Sequence, residues 1–506
     1  MLSPSQSITL GSLLSPWMAT SDWQEKWREH SVVNMTIDSR QIEADDLFVA
    51  VNGHAVDGRG FIPAAINAGA TAVLAEADNI AKHGDIVEQD GIVIIYFQQL
   101  NQYLSAIANR FYAQPDTRLK LLAVTGTNGK TTISQLLAQW ANLIGYNAGV
   151  MGTTGNGLLN SLTPAVNTTG NAIEIPHVLH DLVDQGADFA AMEISSHGLV
   201  QGRVKALQFV ASIFTNLSRD HLDYHGDMAN YADAKKCLFT EHQAGIPVIN
   251  ADDDIGFTWL ADLPHAVAVV TDKARLGEHY QGQALWLTDV MYSTQGVNIS
   301  FDSSWGAGQF TAPLVGSFNV SNLLLALATL LALGHSIDKL IATAPHLTAV
   351  IGRMEVFQSP DKPMVVVDYA HTPDALEKAL QALRVHCQGK LWCIFGCGGD
   401  RDTGKRPMMA EISERLADRI IITDDNPRTE APAAIVSDML QGLALPQQAQ
   451  VIHDRKLACT YAIEHAQVND IILLAGKGHE DYQVLADRTI HYSDRETVQA
   501  LFGEIA

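Results

Sequence analysis

The segment LLAVTGTNGKTTISQLLAQWANLIG, residues 121–145, restricts the fold more than any other stretch of the chain. An apolar run reads as a buried strand, a glycine-rich turn follows, and a lysine with two threonines opens an amphipathic helix. Gly126 and Gly129 let the backbone curl so that its N–H groups converge. The N-terminus of the next helix points its partial positive charge at the same place. This strand–loop–helix unit is a phosphate site in an α/β framework. Lys130, expected to face solvent, reaches the outer phosphates of a nucleotide, and the Thr131 hydroxyl suits Mg2+. The match to the general phosphate-loop pattern is incomplete, because Val124 stands where that pattern has its first glycine.

At 506 residues the chain exceeds one core, so two to four domains are expected, and 47% apolar content is ample for them. A net charge of −23 argues against a nucleic-acid binder and against an anionic membrane surface. Local clusters holding Lys130, Arg203, Lys235, Arg401 and Arg428 leave room for an anionic substrate. Five cysteines, at 237, 387, 393, 397 and 459, suit a reducing compartment. Cys393 and Cys397 have no second pair beside them and read as buried thiols rather than a zinc site. The N-terminus lacks a basic region followed by a long apolar core, so no signal peptide is expected. LLLALATLLALG, from Leu323, is too short to cross a bilayer. A cytoplasmic protein without membrane insertion follows.

Along the chain, strands are expected at 46–51, 71–76 and 91–96, with a helix at 61–70 closed by glycine. Between them, Ser39, Arg40, His54 and Arg59 lie in polar loops and suit a nucleotide-like group. A helix runs into a linker near Pro115. After the phosphate loop, 189–197 and 209–226 read as strands with polar tails, and 231–242 as a helix that places Lys235 near the second tail. A loop FNVSN leads into a long helix from about Asn322. From Val350 onward strand, loop and helix repeat three times, and a further strand with a glycine-rich loop precedes a closing helix. This alternation means an open parallel sheet with helices on both faces and its loops gathered on one edge.

Glu193 at a strand end suits Mg2+, as does His221 less commonly, since magnesium beside phosphate needs only one or two protein ligands. Lys235 beside such a group has two readings. Either its ammonium offsets phosphate charge, or its amine has taken up CO2 as an anionic carbamate.

The motifs TGTNGKTT, MEISSHGLVQGRV, FTNLSRDHLDYHGDMANYADAKK, GSFNVSN, GRMEV, VVVDYAHTPDAL, FGCGGDRDTGKRP, TDDNPRTE and AGKGHEDYQ together resemble the cytoplasmic Mur ligases. The resemblance covers the whole chain and is strongest to members that add diaminopimelate. It implies an α/β fold of three domains. These are a UDP-binding domain over 1–100, a central phosphate-loop ATPase domain over 101–349, and a C-terminal Rossmann-like domain over 350–506. It implies an ATP- and Mg2+-dependent monomer whose small-molecule substrates are UDP-N-acetylmuramoyl-L-alanyl-D-glutamate and meso-2,6-diaminopimelate. An amine attacks a carboxylate activated as acyl phosphate, and water must be excluded meanwhile.

Carried over by motif, Gly126, Thr127, Asn128, Gly129, Lys130, Thr131 and Thr132 cradle ATP. Asn319, Arg353, Asp368 and His371 surround its nucleoside. Thr131, Glu193 and His221 hold magnesium, with Lys235 as N6-carboxylysine, and Lys130, Glu193, His221 and Lys235 are the catalytic set. Ser39, Thr168, Thr169, Ser195, Gln201 and Arg203 meet the UDP-muramoyl-dipeptide. Arg401, Asp425, Asn426, Pro427, Arg428, Gly476 and Glu480 meet diaminopimelate, Arg428 in two-point contact with its distal carboxylate. One departure stands out: Asp45 precedes Asp46 where the family has glycine, in a turn expected to be strained. Two other readings are a folylpolyglutamate synthetase and a non-catalytic regulator that binds a cell-wall nucleotide. DNPR and the UDP-side motifs oppose the first, and retention of the four catalytic residues opposes the second.

Overall fold

DLFVA, Asp46–Ala50, is buried over its whole length because both of its faces are covered. Leu47 and Val49 join one apolar cluster with Leu74, Val93 and Ile95. Phe48 and Ala50 join another with Val73, Ala75 and Ile94. Alternate residues of a strand point to opposite faces, so a continuous apolar run marks a sheet packed on both sides. The computed structural model describes residues 7–53, 56–78, 81–277, 280–293 and 296–503. It contains two units: Met1–Lys130 with Gly145–Ile249 and Asp253–Ala266, and Thr131–Ile144 with Asn250–Asp252 and Val267–Ala506.

The first unit holds the sheet just described, ordered Asn34–Thr36, Asp46–Ala50, Ala72–Glu76, Ile92–Phe97 and Ile86–Gln89, parallel except at the last strand. Helix Ile62–Ala68 ends on Gly69 at φ +114°. Asp45 takes φ +69°, a left-handed conformation that aspartate tolerates better than most side chains. A second sheet of this unit is centred on Lys120–Thr125, flanked in parallel by Phe189–Glu193 and Ala211–Phe214. Val124 pairs with Glu193 and Thr125 with Phe214. The loops after all three strands therefore leave from one edge, where α/β ligands bind.

In the second unit, Val267–Val270 and Ala284–Ser293 run parallel and continue into an antiparallel meander with Gly296–Ser303 and Gly308–Ala312. Helix Phe318–Ala332 starts four residues before the expected Asn322, so FNVSN is helical rather than a loop. Its asparagines do not break the helix because they bond along it: Asn319 Nδ2 donates to Val315 O at 2.6 Å, and Asn322 Nδ2 to Asn319 Oδ1 at 3.0 Å. The other sheet is ordered Glu355–Phe357, Met364–Asp368, Ile471–Ala475, Leu391–Phe395, Arg419–Ile422 and Ala449–Val451, parallel except at the first strand. Leu376, Leu380, Met409, Ile435 and Met439 cover one face, and Ala458, Cys459, Ala462 and Val498 the other. This is the open sheet with two covered faces that the alternation predicts.

The strands expected at 189–197 and 209–226 are shorter, Phe189–Glu193 and Ala211–Phe214. Ser195 caps a new helix, Ser196–Val200, which ends the first of them. Cys393 and Cys397 lie in one core, Cys393 Sγ against Ser413 Oγ and Cys397 Sγ against Met409 Sδ, and burial pushes both thiols up to about 12. Among the described residues no helix is long and apolar enough to cross a membrane.

Candidate active site

Gly126, at φ +145°, and Gly129, at φ +86°, bracket the phosphate loop. A Cβ on Gly126 would run into the Thr215 hydroxyl and come within 3.1 Å of Asn216 N. The neighbouring strand tail braces the loop. Thr215 Oγ1 and Asn216 Nδ2 both donate to Asn128 O, at 2.5 and 3.1 Å, and Asn128 N donates to Asn216 Oδ1 at 3.0 Å. Thr127 Oγ1 accepts from Ser218 N at 3.0 Å and lies 3.2 Å from the Tyr231 hydroxyl.

Lys130 is half-buried rather than facing solvent. It curls over its own loop, and Nζ donates to Gly126 O at 3.0 Å and Thr127 O at 2.8 Å. Lys235 Nζ donates to the same Gly126 carbonyl at 2.9 Å and lies 4.5 Å from the centre of the Tyr231 ring. Only 1% of Lys235 is exposed. Burial, reinforced by the Lys130 charge, pulls its pKa well below the usual lysine value, with Asp220 opposing. A shift in this direction favours the neutral amine, the form that attacks CO2.

Glu193 is 1% exposed. Its carboxylate accepts from Thr153 N at 2.9 Å and Thr153 Oγ1 at 3.2 Å. Gly152 leaves the space, since a Cβ there would collide with that carboxyl group. Among the described residues no three His, Cys, Asp or Glu side chains converge on a cation position. The donors are therefore not an all-protein cage. A buried carboxylate at the edge that carries the phosphate loop still fits Mg2+, which takes its remaining ligands from phosphate and water.

His221, at φ +52°, sits beside Asp220, Nε2 to Oδ2 3.4 Å. The His197 ring meets His221 edge-on at 4.9 Å and lies 4.1 Å from Tyr224 and 5.6 Å from His225. His225 Nε2 lies 2.9 Å from Ser196 Oγ. Burial holds the pKa values of His197 and His225 below the usual imidazole value, and each ring's histidine neighbours add to the effect. Arg203 is anchored through Nη2 and Nε to Gln201 Oε1, at 2.6 and 2.9 Å, and through Nη1 to Thr169 O at 2.7 Å. Thr169 Oγ1 donates to Glu193 O at 3.1 Å, and the Thr168 hydroxyl lies 3.2 Å from that of Thr153. Thr168, Thr169, Gln201 and Arg203 thus form one connected group with Glu193. The Ser195 hydroxyl accepts from Gly198 N at 3.1 Å.

The first sheet's polar residues are less convergent. Arg40 is tied to Asp38 at 2.7 Å, and Arg59 to Asp57 at 2.7 Å and Asp78 at 3.1 Å. Ser39 opens the short helix Ser39–Gln41. His54 lies outside the described residues.

The second unit carries two groups. In one, the Arg353 guanidinium lies 4.6 Å from the Tyr369 ring centre, and Asp368 Oδ2 accepts from Met354 N at 2.8 Å. Burial raises the Asp368 pKa, while Arg353 opposes. His371 Nδ1 lies 2.8 Å from Tyr369 O. In the other, Asp425, Asn426 and Glu480 surround Lys477, which the sequence reading passed over. Arg428, at φ +52°, donates from Nη1 to Gly399 O at 2.9 Å, which holds its guanidinium against the neighbouring loop. Pro427 packs there too, its carbonyl closing the space beside Gly399. Arg401 is not drawn into this group: it is exposed and bonds its own neighbour, Nη1 to Asp400 O at 3.2 Å.

Sequence reasoning gave no role to Thr153, His197, His225, Tyr231 or Lys477, although His225 stands out with Asp220, His221 and Asp223 in one strand tail. Four of these stand in quoted motifs, MEISSHG, DYHG, YADAKK and AGKGHED, where spacing alone ranked them below their neighbours. Lys477 was readable as the residue between two glycines in AGKGHED.

A glycine loop joined to a strand-end carboxylate and a buried lysine defines a nucleotide-dependent α/β enzyme of the phosphate-loop class. More particularly, the chain belongs to the Mur ligase family. Residues 31–112 match the family's catalytic domain, 124–330 its middle domain and 352–478 its glutamate ligase domain. A relative from Vibrio cholerae, UDP-N-acetylmuramoyl-L-alanyl-D-glutamate–2,6-diaminopimelate ligase, is 56% identical over 492 residues, 97% of this chain and 98% of the relative. A solved structure of a ligase with the same description is 36% identical, covers 98% of this chain and 99% of its own, and superposes with a TM-score of 0.71. A ligase from Thermotoga maritima solved with ADP, 16% identical with a TM-score of 0.58 over 93% of this chain and 97% of its own, shares the fold. The fold is the α/β three-domain Mur ligase fold.

Proposed function

We infer that this chain is an ATP-dependent ligase that joins meso-2,6-diaminopimelate to the D-glutamate of UDP-N-acetylmuramoyl-L-alanyl-D-glutamate, a step of peptidoglycan precursor synthesis. The observation that carries the reading is the 56% identity to the Vibrio cholerae ligase over 97% of the chain. The reading divides the chain at about 100 and 350, takes the UDP end at Ser39, and makes the protein a cytoplasmic monomer.

In this reading the loop from Gly126 to Thr132 receives ATP, and Asn319, Arg353, Asp368 and His371 receive its nucleoside. The D-glutamate carboxylate attacks the terminal phosphorus, ADP departs, and an acyl phosphate results. The amine of diaminopimelate then attacks the acyl carbon, phosphate leaves, and the amide forms. Lys130 trades its two loop carbonyls for the terminal phosphate oxygens, where its charge offsets the repulsion between two anions. Thr168, Thr169, Gln201 and Arg203 orient the dipeptide end. Glu193, His221 and Thr131 would hold Mg2+, with Lys235 as its carbamate; bound there, the ion supplies charge stabilisation to the transferring phosphoryl group. Asn426, Arg428 and Glu480 select the amino acid, since a guanidinium fork suits a carboxylate that lysine lacks.

The test is an amino-acid panel assayed with the UDP-muramoyl-dipeptide and read by product mass. A product heavier by one diaminopimelate less water, with phosphate released only when both co-substrates are present, is expected. Comparable kcat/KM for lysine and diaminopimelate would defeat the assignment while leaving the ligase class intact.

A further inference from the structure

Lys477 follows strand Ile471–Ala475 between Gly476, at φ +115°, and Gly478, at φ +52°. A Cβ on Gly478 would come within 2.6 Å of Tyr369 Cβ and 2.7 Å of Gly352 O. The two glycines let the chain double back tightly and send the side chain between them inward, where it is 0% exposed. Its Nζ lies 3.0 Å from Asn426 Oδ1, 3.1 Å from Asp425 Oδ1 and 3.4 Å from Glu480 Oε2. Val484 N donates to the same Asn426 Oδ1 at 2.9 Å, which fixes the amide's orientation and aims Nδ2 at Glu480 Oε2, 3.2 Å away. The Tyr369 hydroxyl reaches the other Glu480 oxygen at 3.5 Å.

A lysine removed from water is costly unless carboxylates neutralise it. Here two carboxylates face one ammonium, so Asp425, Glu480 and Lys477 together retain one negative charge. We propose that Lys477 is a positioning residue that sets the charge of the amino-acid pocket. It holds Asn426 and Glu480 in place and leaves one carboxylate charge for the ligand's distal ammonium, while Arg428 takes the distal carboxylate. The proposal rests on the substrate reading given above. Without Lys477 the trio carries two negative charges, which disfavours a ligand bearing a distal carboxylate and favours one bearing an ammonium alone.

The experiment is steady-state kinetics on the full chain with diaminopimelate, lysine and ATP varied in turn, for wild type, Lys477→Met and the double variant Asp425→Asn/Lys477→Met. Lys477→Met is expected to raise KM for diaminopimelate at least tenfold, leave KM for ATP within twofold, and narrow the diaminopimelate-to-lysine ratio of kcat/KM at least tenfold. The double variant restores a single negative charge and is expected to recover most of that ratio. A double variant no better than the single one, or KM values for ATP and diaminopimelate rising together, would reduce Lys477 to a structural pin and overturn the proposal. If Lys477→Met does not fold, Asp425→Asn decides: it leaves the trio neutral, so lysine must lose more than diaminopimelate, and an unchanged ratio overturns the proposal. A wild type that does not use diaminopimelate overturns the substrate reading instead.

Discussion

Lys130 and Lys235 both direct Nζ at one carbonyl oxygen, that of Gly126, and their chemistry separates under substitution. Lys130→Ala is expected to fold normally and to lose about 3–4 kcal/mol of transition-state stabilisation, a fall in kcat of some two to three orders of magnitude. Near-normal turnover would sink the phosphate-loop reading. Lys235→Ala is expected to be as inactive, but formate or acetate should partly restore it by standing in for the carbamate, and bicarbonate depletion should slow the wild type. No rescue and no bicarbonate effect would favour a plain ammonium. Stability gives a further check. The folded pKa of Lys235 is depressed by burial, so the folded state binds this proton less tightly than the unfolded chain. Its cost is full below the folded value and vanishes as pH rises to the ordinary lysine value. Lys235→Met should therefore melt higher than wild type near neutrality, with the gap closing as pH rises. A gap that widens with pH would contradict this.

Elements were legible where an apolar run and a flanking glycine or proline agreed. Asp46–Ala50, Ile62–Ala68, Met364–Asp368 and Pro373–Arg384 all stand where the periodicity put them. The meander of Ala284–Ser293, Gly296–Ser303 and Gly308–Ala312 was not read, because the apolar residues of its first strand, ALWLTDVMYS, fall in two runs without the alternation that marks a half-buried strand. FNVSN was misread because asparagine and serine usually signal a loop; here Asn322 bonds within the helix and Asn319 bonds back to Val315, just before it. At the site, the loop and the strand-end acid were visible as types in a pattern. The bracing by Thr215 and Asn216 and the clamp at Lys477 arise only once distant loops meet at one edge. Asp45 shows the reverse: a departure seen in sequence lands on a left-handed residue, φ +69°. Asp45→Gly should relieve it and stabilise the protein by roughly 1 kcal/mol in urea unfolding. Unchanged stability would mean that the side chain compensates.

At the scale of the whole molecule, Gly126–Lys130 and the amino-acid group stand in different units, so damage to the second should leave phosphate binding by the first intact. Arg428→Ala is expected to raise KM for diaminopimelate at least tenfold and KM for ATP less than twofold; equal rises would show that Arg428 supports the fold rather than the pocket. Within the second unit the separation is not complete. A Cβ on Gly352 would collide with the backbone at Gly478 and His479, so the turn bearing Arg353 and the turn bearing Lys477 touch main chain to main chain. Neither can shift alone. A small molecule wedged between those turns would disable nucleotide and amino-acid recognition in one stroke. Escape by a single side-chain change is hard there, because the surface it would grip is backbone that mutation cannot alter without adding bulk where none fits.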